Sequence, residues 1–147
     1  MTWQIGNINP PGTITQQTTN DLLKPLTYYR QDIYLGRLLT QTESDTLKTA
    51  YEAGIGTEIG NITVVGAYYN DVGTPYLMVF FQTSATVTKN IGDLISDTLI
   101  NPVFSSIPIN SQVFWYFAIP DTELPSWLWL IPVAIVGLGI AYIIIKR

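Results

Sequence analysis

Apolar positions recur with different periods along this chain, and each period predicts a different element. Over residues 1–20 they are isolated (Trp3, Ile5, Ile8, Ile14) among Thr, Gln and Asn, and Pro10, Pro11 and Gly12 enforce a turn or extended backbone. This predicts an extended N-terminal arm, held by its own domain or by a neighbouring copy. Residues 21–54 read as helical. Leu22, Leu23, Leu26 and Ile33 with Tyr28, Tyr29 and Tyr34 suggest a first helix, with Pro25 near its start and Gly36 as a weak point. Thr42 to Asp45 resembles a capping box for a second helix, in which Leu47, Ala50 and Tyr51 repeat at helical spacing and Gly54 is a C-cap. Glu43, Asp45, Lys48 and Glu52 then form its solvated side.

From Asn61 the period changes. The β-branched and aromatic runs 62–69 and 76–87 flank a turn-rich 70–75, which predicts a hairpin. Ile91, Leu94, Ile95, Leu99 and Ile100 mark one face of a third helix ended by Pro102, and residues 111–119 make a third strand. The expected head is therefore a small α+β unit, α-α-β-β-α-β, with an antiparallel sheet. Residues 78–81 and 113–119 are apolar at consecutive positions, so both faces of that sheet need cover.

The last segment differs in kind: Trp127 to Ile145 is 19 residues without a charge. As a helix it reaches about 28 Å at ~1.5 Å per residue, close to the ~30 Å of a bilayer core. Trp127 and Trp129 suit interfacial positions, Tyr142 belongs to the anchor, and Lys146 and Arg147 form a basic tip among head groups. Pro132 kinks the span or opens it at the first helical position. Gly137 and Ala141 are spaced for close helix contact in lipid. The reading divides the chain into an arm (1–20), a head (21–119), a Pro-flanked acidic connector (120–126), a transmembrane helix (127–145) and the tip (146–147). Residues 1–20 carry no charge and no long apolar run, unlike a signal peptide, so the layout is that of a tail-anchored protein.

Composition narrows the chemistry. With no Cys or His among 147 residues, disulfide scaffolds, thiol catalysis, Cys/His metal centres and imidazole triads are excluded. Ahead of the span stand five basic and eleven acidic residues, and Lys24, Arg30, Arg37, Lys48 and Lys89 are scattered, so sequence-specific nucleic acid is not an expected partner.

Candidate sites are few. The glycines at 54, 56 and 60 suggest a phosphate loop, but they follow a helix and open a strand, the reverse of a dinucleotide site. Asp93 and Asp97 stand one helical turn apart without the further oxygen ligands a hard cation needs. Glu58 with Asp71, or Asp121 with Glu123, would serve glycoside chemistry only if folding set them about a cleft. Asn61 opens a glycosylation triplet with Ile62 and Thr63, equally explained as strand composition. Trp115, Tyr116 and Phe117 alternate between faces and cannot all line one pocket. No catalytic, cofactor or metal residue is assigned.

Taken together, a small Cys-free chain, low in charge, rich in Thr, Asn, Gln, Tyr and Ile and ending in one hydrophobic span, resembles membrane-associated structural proteins of archaeal viruses. The resemblance lies in composition and layout. It implies a non-enzymatic virion component, anchored in the viral membrane and joined to a capsid or tail through its head and arm. The expected partners are membrane lipid, other virion structural proteins and further copies of the chain in an oligomer or lattice. The expected arm contacts are Trp3, Ile5, Ile8, Pro10, Pro11 and Ile14. The alternative from another class is a cell-surface or envelope binding module tethered to a membrane.

Overall fold

A computed structural model describes residues 2–94 and 105–119. Its elements are β1 (Trp3–Gly6), β2 (Thr13–Gln17), β3 (Tyr28–Leu35), α1 (Gln41–Gly54), β4 (Glu58–Ile59), β5 (Ile62–Asn70), β6 (Tyr76–Thr83) and β7 (Ile109–Ala118). The fold is α+β, with one seven-stranded antiparallel sheet in the order β1-β5-β6-β3-β7-β2 and β4 paired to β5. The expected hairpin is β5 and β6, and the expected third strand is β7. The third helix is seen over 91–94, and its remainder and Pro102 lie outside the described residues.

The first predicted helix is corrected: residues 28–35 are a central strand flanked by β6 and β7. Helical spacing of the leucines is overridden locally by Pro25 and by Leu26 at φ 50, a left-handed conformation that does not propagate a helix. Leu22 and Leu26 are exposed, whereas Tyr29, Gln31, Ile33 and Leu35 alternate onto the buried face with the period of a strand.

Of the two ways in which the extended N-terminal segment was expected to be held, by its own domain or by a neighbouring copy, the structure shows the first: the segment forms two strands of the chain's own sheet. Trp3 to Gly6 pair with Tyr69 to Gly66 at one edge, and Thr13 to Gln17 pair with Ala118 to Phe114 at the other. The same stretch thus finishes both edges. On a flat sheet those edges stand five strand spacings apart, about 24 Å, with a further axial offset of roughly 10 Å. The link from Gly6 to Thr13 is seven Cα steps, at most about 25 Å, and includes the bend at Gly12. The sheet is therefore curled, and its two edges are drawn toward each other.

One face of the sheet is the core. Trp3, Ile5, Ile33, Leu35, Ala67, Tyr69, Leu77 and Val79 pack with Leu39, Leu47 and Ile107 under α1, and Tyr29, Phe81 and Phe114 pack with Leu23 and Leu94 further along. Between these clusters lies buried Gln31, whose amide donates to Gln112. Trp3 Nε1 donates to buried Ser44 Oγ on α1 at 2.9 Å, and Tyr69 Oη accepts from Leu39 N–H at 3.0 Å. Polar groups carried into the core by aromatic residues are thereby satisfied.

The N-cap lies two residues before the expected one. Thr40, with extended backbone, is the N-cap, and Glu43 at the third helical position returns the bond to Thr40 N–H at 2.9 Å, completing a capping box. Thr42 lies in the first turn instead, its carbonyl accepting from Thr46 Oγ1. Gly54 is the last helical residue, Ile55 is the C-cap and Gly56 takes the left-handed conformation. Ala50, expected on the buried side, is exposed. Gly60 and Asn61, at φ 59 and 70, form the tight turn between β4 and β5, for which two successive positive φ values suit a primed hairpin turn.

Glu43 also pairs with both terminal nitrogens of Arg37, at 2.7 and 2.9 Å, and accepts from Ser106 Oγ. Arg37, and then the Thr40 amide, hold its carboxyl at about 2, below the ordinary 4.5. The depressed value means that the stability contributed is full above about pH 4.5 and is lost as the pH falls toward 2. Glu43→Gln should accordingly reduce the drop in urea midpoint between pH 7 and pH 3; an unchanged drop would remove Glu43 from the acid response.

Candidate functional site

Strand alternation that buries one face of the sheet displays a second set of side chains on the other. On β3 these are Tyr28, Arg30, Asp32 and Tyr34; opposite them on β6 are Gln82, Phe80, Met78 and Tyr76. Strand β7 adds Trp115 beside Arg30 and Val113 beside Asp32, β5 adds Tyr68, and β2 adds Ile14 and Gln16 at the edge. Of these, Asp32 and Phe80 are buried, while the tyrosines, Met78 and Trp115 are half-buried. This second face is a contiguous aromatic surface.

Its polar centre is self-contained. Arg30 places one terminal nitrogen 2.9 Å from Asp32 Oδ2 and its Nε 2.8 Å from Oδ1, the latter close enough for ion pairing though not aligned as a hydrogen bond. Trp115 Nε1 donates to the same Oδ2 at 2.9 Å, and the Arg30 guanidinium lies over the Trp115 ring, 5.2 Å from its centroid. A buried carboxylate needs such compensation, and here two donors and one cation supply it. Around this centre Tyr76 touches Tyr34 and Tyr68 with centroids 6.0 Å away in each case, and Phe80 touches Phe117 at 6.3 Å. Burial pushes the Tyr76 hydroxyl above its ordinary value, and Tyr68, Asp32 and Tyr34 act in the same direction. Tyr76 therefore presents a neutral hydroxyl near neutral pH, and the Arg30 and Asp32 charges offset each other.

The expected arm contacts separate on this frame. Trp3 and Ile5 belong to the core, Pro10 is buried, Ile8 is half-buried, Pro11 is exposed, and Ile14 is 39% exposed on the second face. The expected anchor residues Trp127, Trp129, Pro132, Gly137, Ala141, Tyr142, Lys146 and Arg147 lie outside the described residues. Among the described residues no helix is long and apolar enough to cross a membrane.

The weaker candidates resolve as local structure. Glu58 sits opposite Thr63 at one end of β5 and Asp71 follows the other end, so about eight strand residues, roughly 26 Å, separate them and no paired-acid cleft forms. Asp93 Oδ2 accepts from Asn90 N–H at 3.1 Å while Asn90 Oδ1 accepts from Asp93 N–H at 2.9 Å, a capping arrangement; Asp97, Asp121 and Glu123 are outside the described residues. Among the described residues no group of three or more His, Cys, Asp or Glu comes together as a metal site. Gly54 ends α1, and Gly56 and Gly60 lead into β4 and β5, so the glycines run from a helix into strands. Asn61 Oδ1 accepts from Ser84 Oγ at 3.1 Å, which gives that side chain a role in the turn.

Sequence reasoning grouped Arg30 with scattered cations and did not single out Asp32. The signal was present: Tyr28, Arg30, Asp32 and Tyr34 alternate with Tyr29, Gln31, Ile33 and Leu35, a period of two that the helical reading of this segment concealed. No family model, curated protein or solved structure matches this chain.

Proposed function

We propose that this protein is a non-enzymatic assembly protein, fixed to a membrane by residues 127–145 and presenting its curled sheet to other structural components beside that membrane. The observation that carries the reading is the uncharged 19-residue run from Trp127 to Ile145, flanked by aromatics on one side and by Lys146 and Arg147 on the other. The half-buried aromatic face of the head supports it, because Tyr and Trp combine apolar area with a polar handle and are enriched where proteins meet partners. Composition and layout favour a virion as the setting, with further copies of the chain and other virion proteins as neighbours and an archaeal virus as the source.

The span is tested by charge. Val136→Asp combined with Ile140→Asp places two carboxylates at mid-span, each costing about 2.5–3.5 kcal/mol at the centre of an inserted helix. Co-flotation of the full chain with phosphatidylcholine vesicles should be lost in this variant while unfolding of the head is unchanged. Undiminished flotation would contradict a spanning role for this segment.

A further inference from the structure

The two ends of the curled sheet differ in where the chain leaves them. At one end β4 turns into β5 at Gly60 and Asn61, β6 finishes at Thr83, β3 begins after Thr27, and β7 pairs its Ala118 with Thr13. Backbone bonds join these pieces into a rim: Ser84 N–H donates to Asn61 O at 2.9 Å, Leu26 N–H to Ser84 O at 3.2 Å, and Thr83 N–H to Thr27 O at 3.1 Å. Leu26 and Ile119 each stand three residues beyond the Tyr29–Tyr116 pair, on neighbouring strands. From β4 to β7 the rim crosses four strand spacings, about 19 Å on a flat sheet and less on a curled one.

The most exposed side chains of this rim are apolar. Ile59 is 72% exposed, Leu26 62% and Ile119 62%, and Pro11 and Ala85 are exposed beside them. Leu26 also carries backbone strain. Its φ of 50 is a left-handed conformation that glycine or asparagine adopts readily and leucine does not, and a side chain left mostly in solvent brings no core packing to offset that. Strain that holds an apolar side chain out of the fold points to a contact outside it. The charged groups around the rim are of both signs, Lys24, Lys89 and Glu58, with Asp21 and Asp93 by the 91–94 turn.

The exit of the chain selects this end. The opposite end also exposes two apolar side chains, Leu38 and Val72, beside Asp71 and the Arg37–Glu43 pair. Described structure stops at Ile119, on the first rim, and the uncharged run starts at Trp127, eight Cα steps later and at most about 28 Å away. The eight residues of β3 set the two ends roughly 26 Å apart. Placing the Leu38 and Val72 end on the membrane would therefore need those eight steps almost fully drawn out. Placing the Ile119 rim there makes no such demand.

We infer that this rim, with Leu26, Ile59 and Ile119 at its crest, is a lipid-contacting surface seated in the head-group layer of the membrane that residues 127–145 enter. The inference rests on the anchoring proposed above. It stands the strands upright on the membrane, with Leu38 and Val72 at the far end.

The absence of cysteine permits a direct test on the full chain. Ile59→Cys and Ala85→Cys place single thiols on the rim, and Val72→Cys places one at the opposite end, at a position as exposed as Ile59. Each is labelled with an environment-sensitive nitrobenzoxadiazole group and reconstituted in phosphatidylcholine vesicles containing lipid spin-labelled near the head group. Labels at 59 and 85 should shift to the blue and lose about half their emission to the quencher, as for groups lying in the interfacial layer, and the label at 72 should do neither. Leu26→Asn, which suits the left-handed backbone, should keep or raise the urea midpoint while weakening the quenching at 59. Unchanged quenching in that variant, or a lowered midpoint, takes Leu26 out of the contact and overturns the seating. Labelled chains that float with the vesicles but show equal, weak quenching at all three sites overturn it and leave the anchor standing. Blue shift at 59 and 85 without lipid quenching indicates cover by protein, such as a second copy, and likewise overturns it. Failure to float removes the anchor and the seating with it.

Discussion

Removal of residues 2–20 abolishes cooperative unfolding of the head. The segment supplies β1 and β2, so its loss strips backbone partners from β5 and β7 at once and exposes two strand edges. It also removes Trp3 and Ile5 from the core cluster that includes Ala67, Tyr69 and Leu77, and leaves Ser44 on α1 without the indole donor. The single change Trp3→Ala isolates part of this effect and should cost about 3–5 kcal/mol, as for other large aromatic truncations in cores. Against a typical total of roughly 5–15 kcal/mol for a domain, the full deletion exceeds what the head can lose. Denaturant titration followed by far-ultraviolet circular dichroism gives the answer. A deleted chain that retains a sharp transition would restore the arm as a detachable element free to clasp a neighbour.

Substituting Gly66 with alanine detaches β1 from the sheet. A Cβ there would run into the backbone of Asn7, whose carbonyl carbon would stand 2.6 Å away and its nitrogen 2.9 Å away. Asn7 is held in that place by its own N–H to Val65 O at 2.8 Å, and Gly6 pairs with Gly66 across the strands. Backbone cannot yield as a flexible side chain does, so the clash is relieved by displacing the end of β1, at a cost of about 2–4 kcal/mol. Gly54→Ala is the matching control. A Cβ at Gly54 meets nothing within 4 Å, and alanine in a helix is favoured over glycine by up to ~1 kcal/mol, so that variant should be neutral or slightly stabilised. Equal thermal stability of the two variants would contradict the close approach. Faster amide exchange over residues 3–7 in Gly66→Ala, with β3 and β6 unchanged, would place the loss at this edge.

The hairpin of β5 and β6, strand β7 and helix α1 were legible in the sequence because each is specified locally. Turn residues bound the strands, and a Thr with a Glu three places later opens the helix, although the residues concerned are Thr40 and Glu43 rather than Thr42 and Asp45. Strands β1, β2 and β3 were not legible, for two different reasons. Residues 13–17 are Thr, Ile, Thr, Gln and Gln, only half apolar in their alternation, and their pairing with residues 114–118 is a contact across most of the chain. Nothing near them in sequence announces it. Residues 28–35 carry both a helical and an alternating pattern, and the two long partners β6 and β7 decide in favour of the strand. The aromatic face was hidden with β3, because half of it is that strand. Trp115 and Phe117 face one way and Tyr116 the other, as strand alternation requires, and the half-buried indole serves the buried Asp32 on the second face rather than the clusters under α1.

Amide hydrogen exchange of the full chain measures directly where residues 127–145 reside. Peptides covering this run should exchange slowly when the protein is in phosphatidylcholine bilayers, since backbone groups of a spanning helix bond within it and water is excluded. Without lipid or detergent the same peptides should lose that protection or the protein should aggregate. Protection of the run that is equally strong in a monodisperse, lipid-free solution would show it packed inside the molecule, and the membrane reading would be wrong.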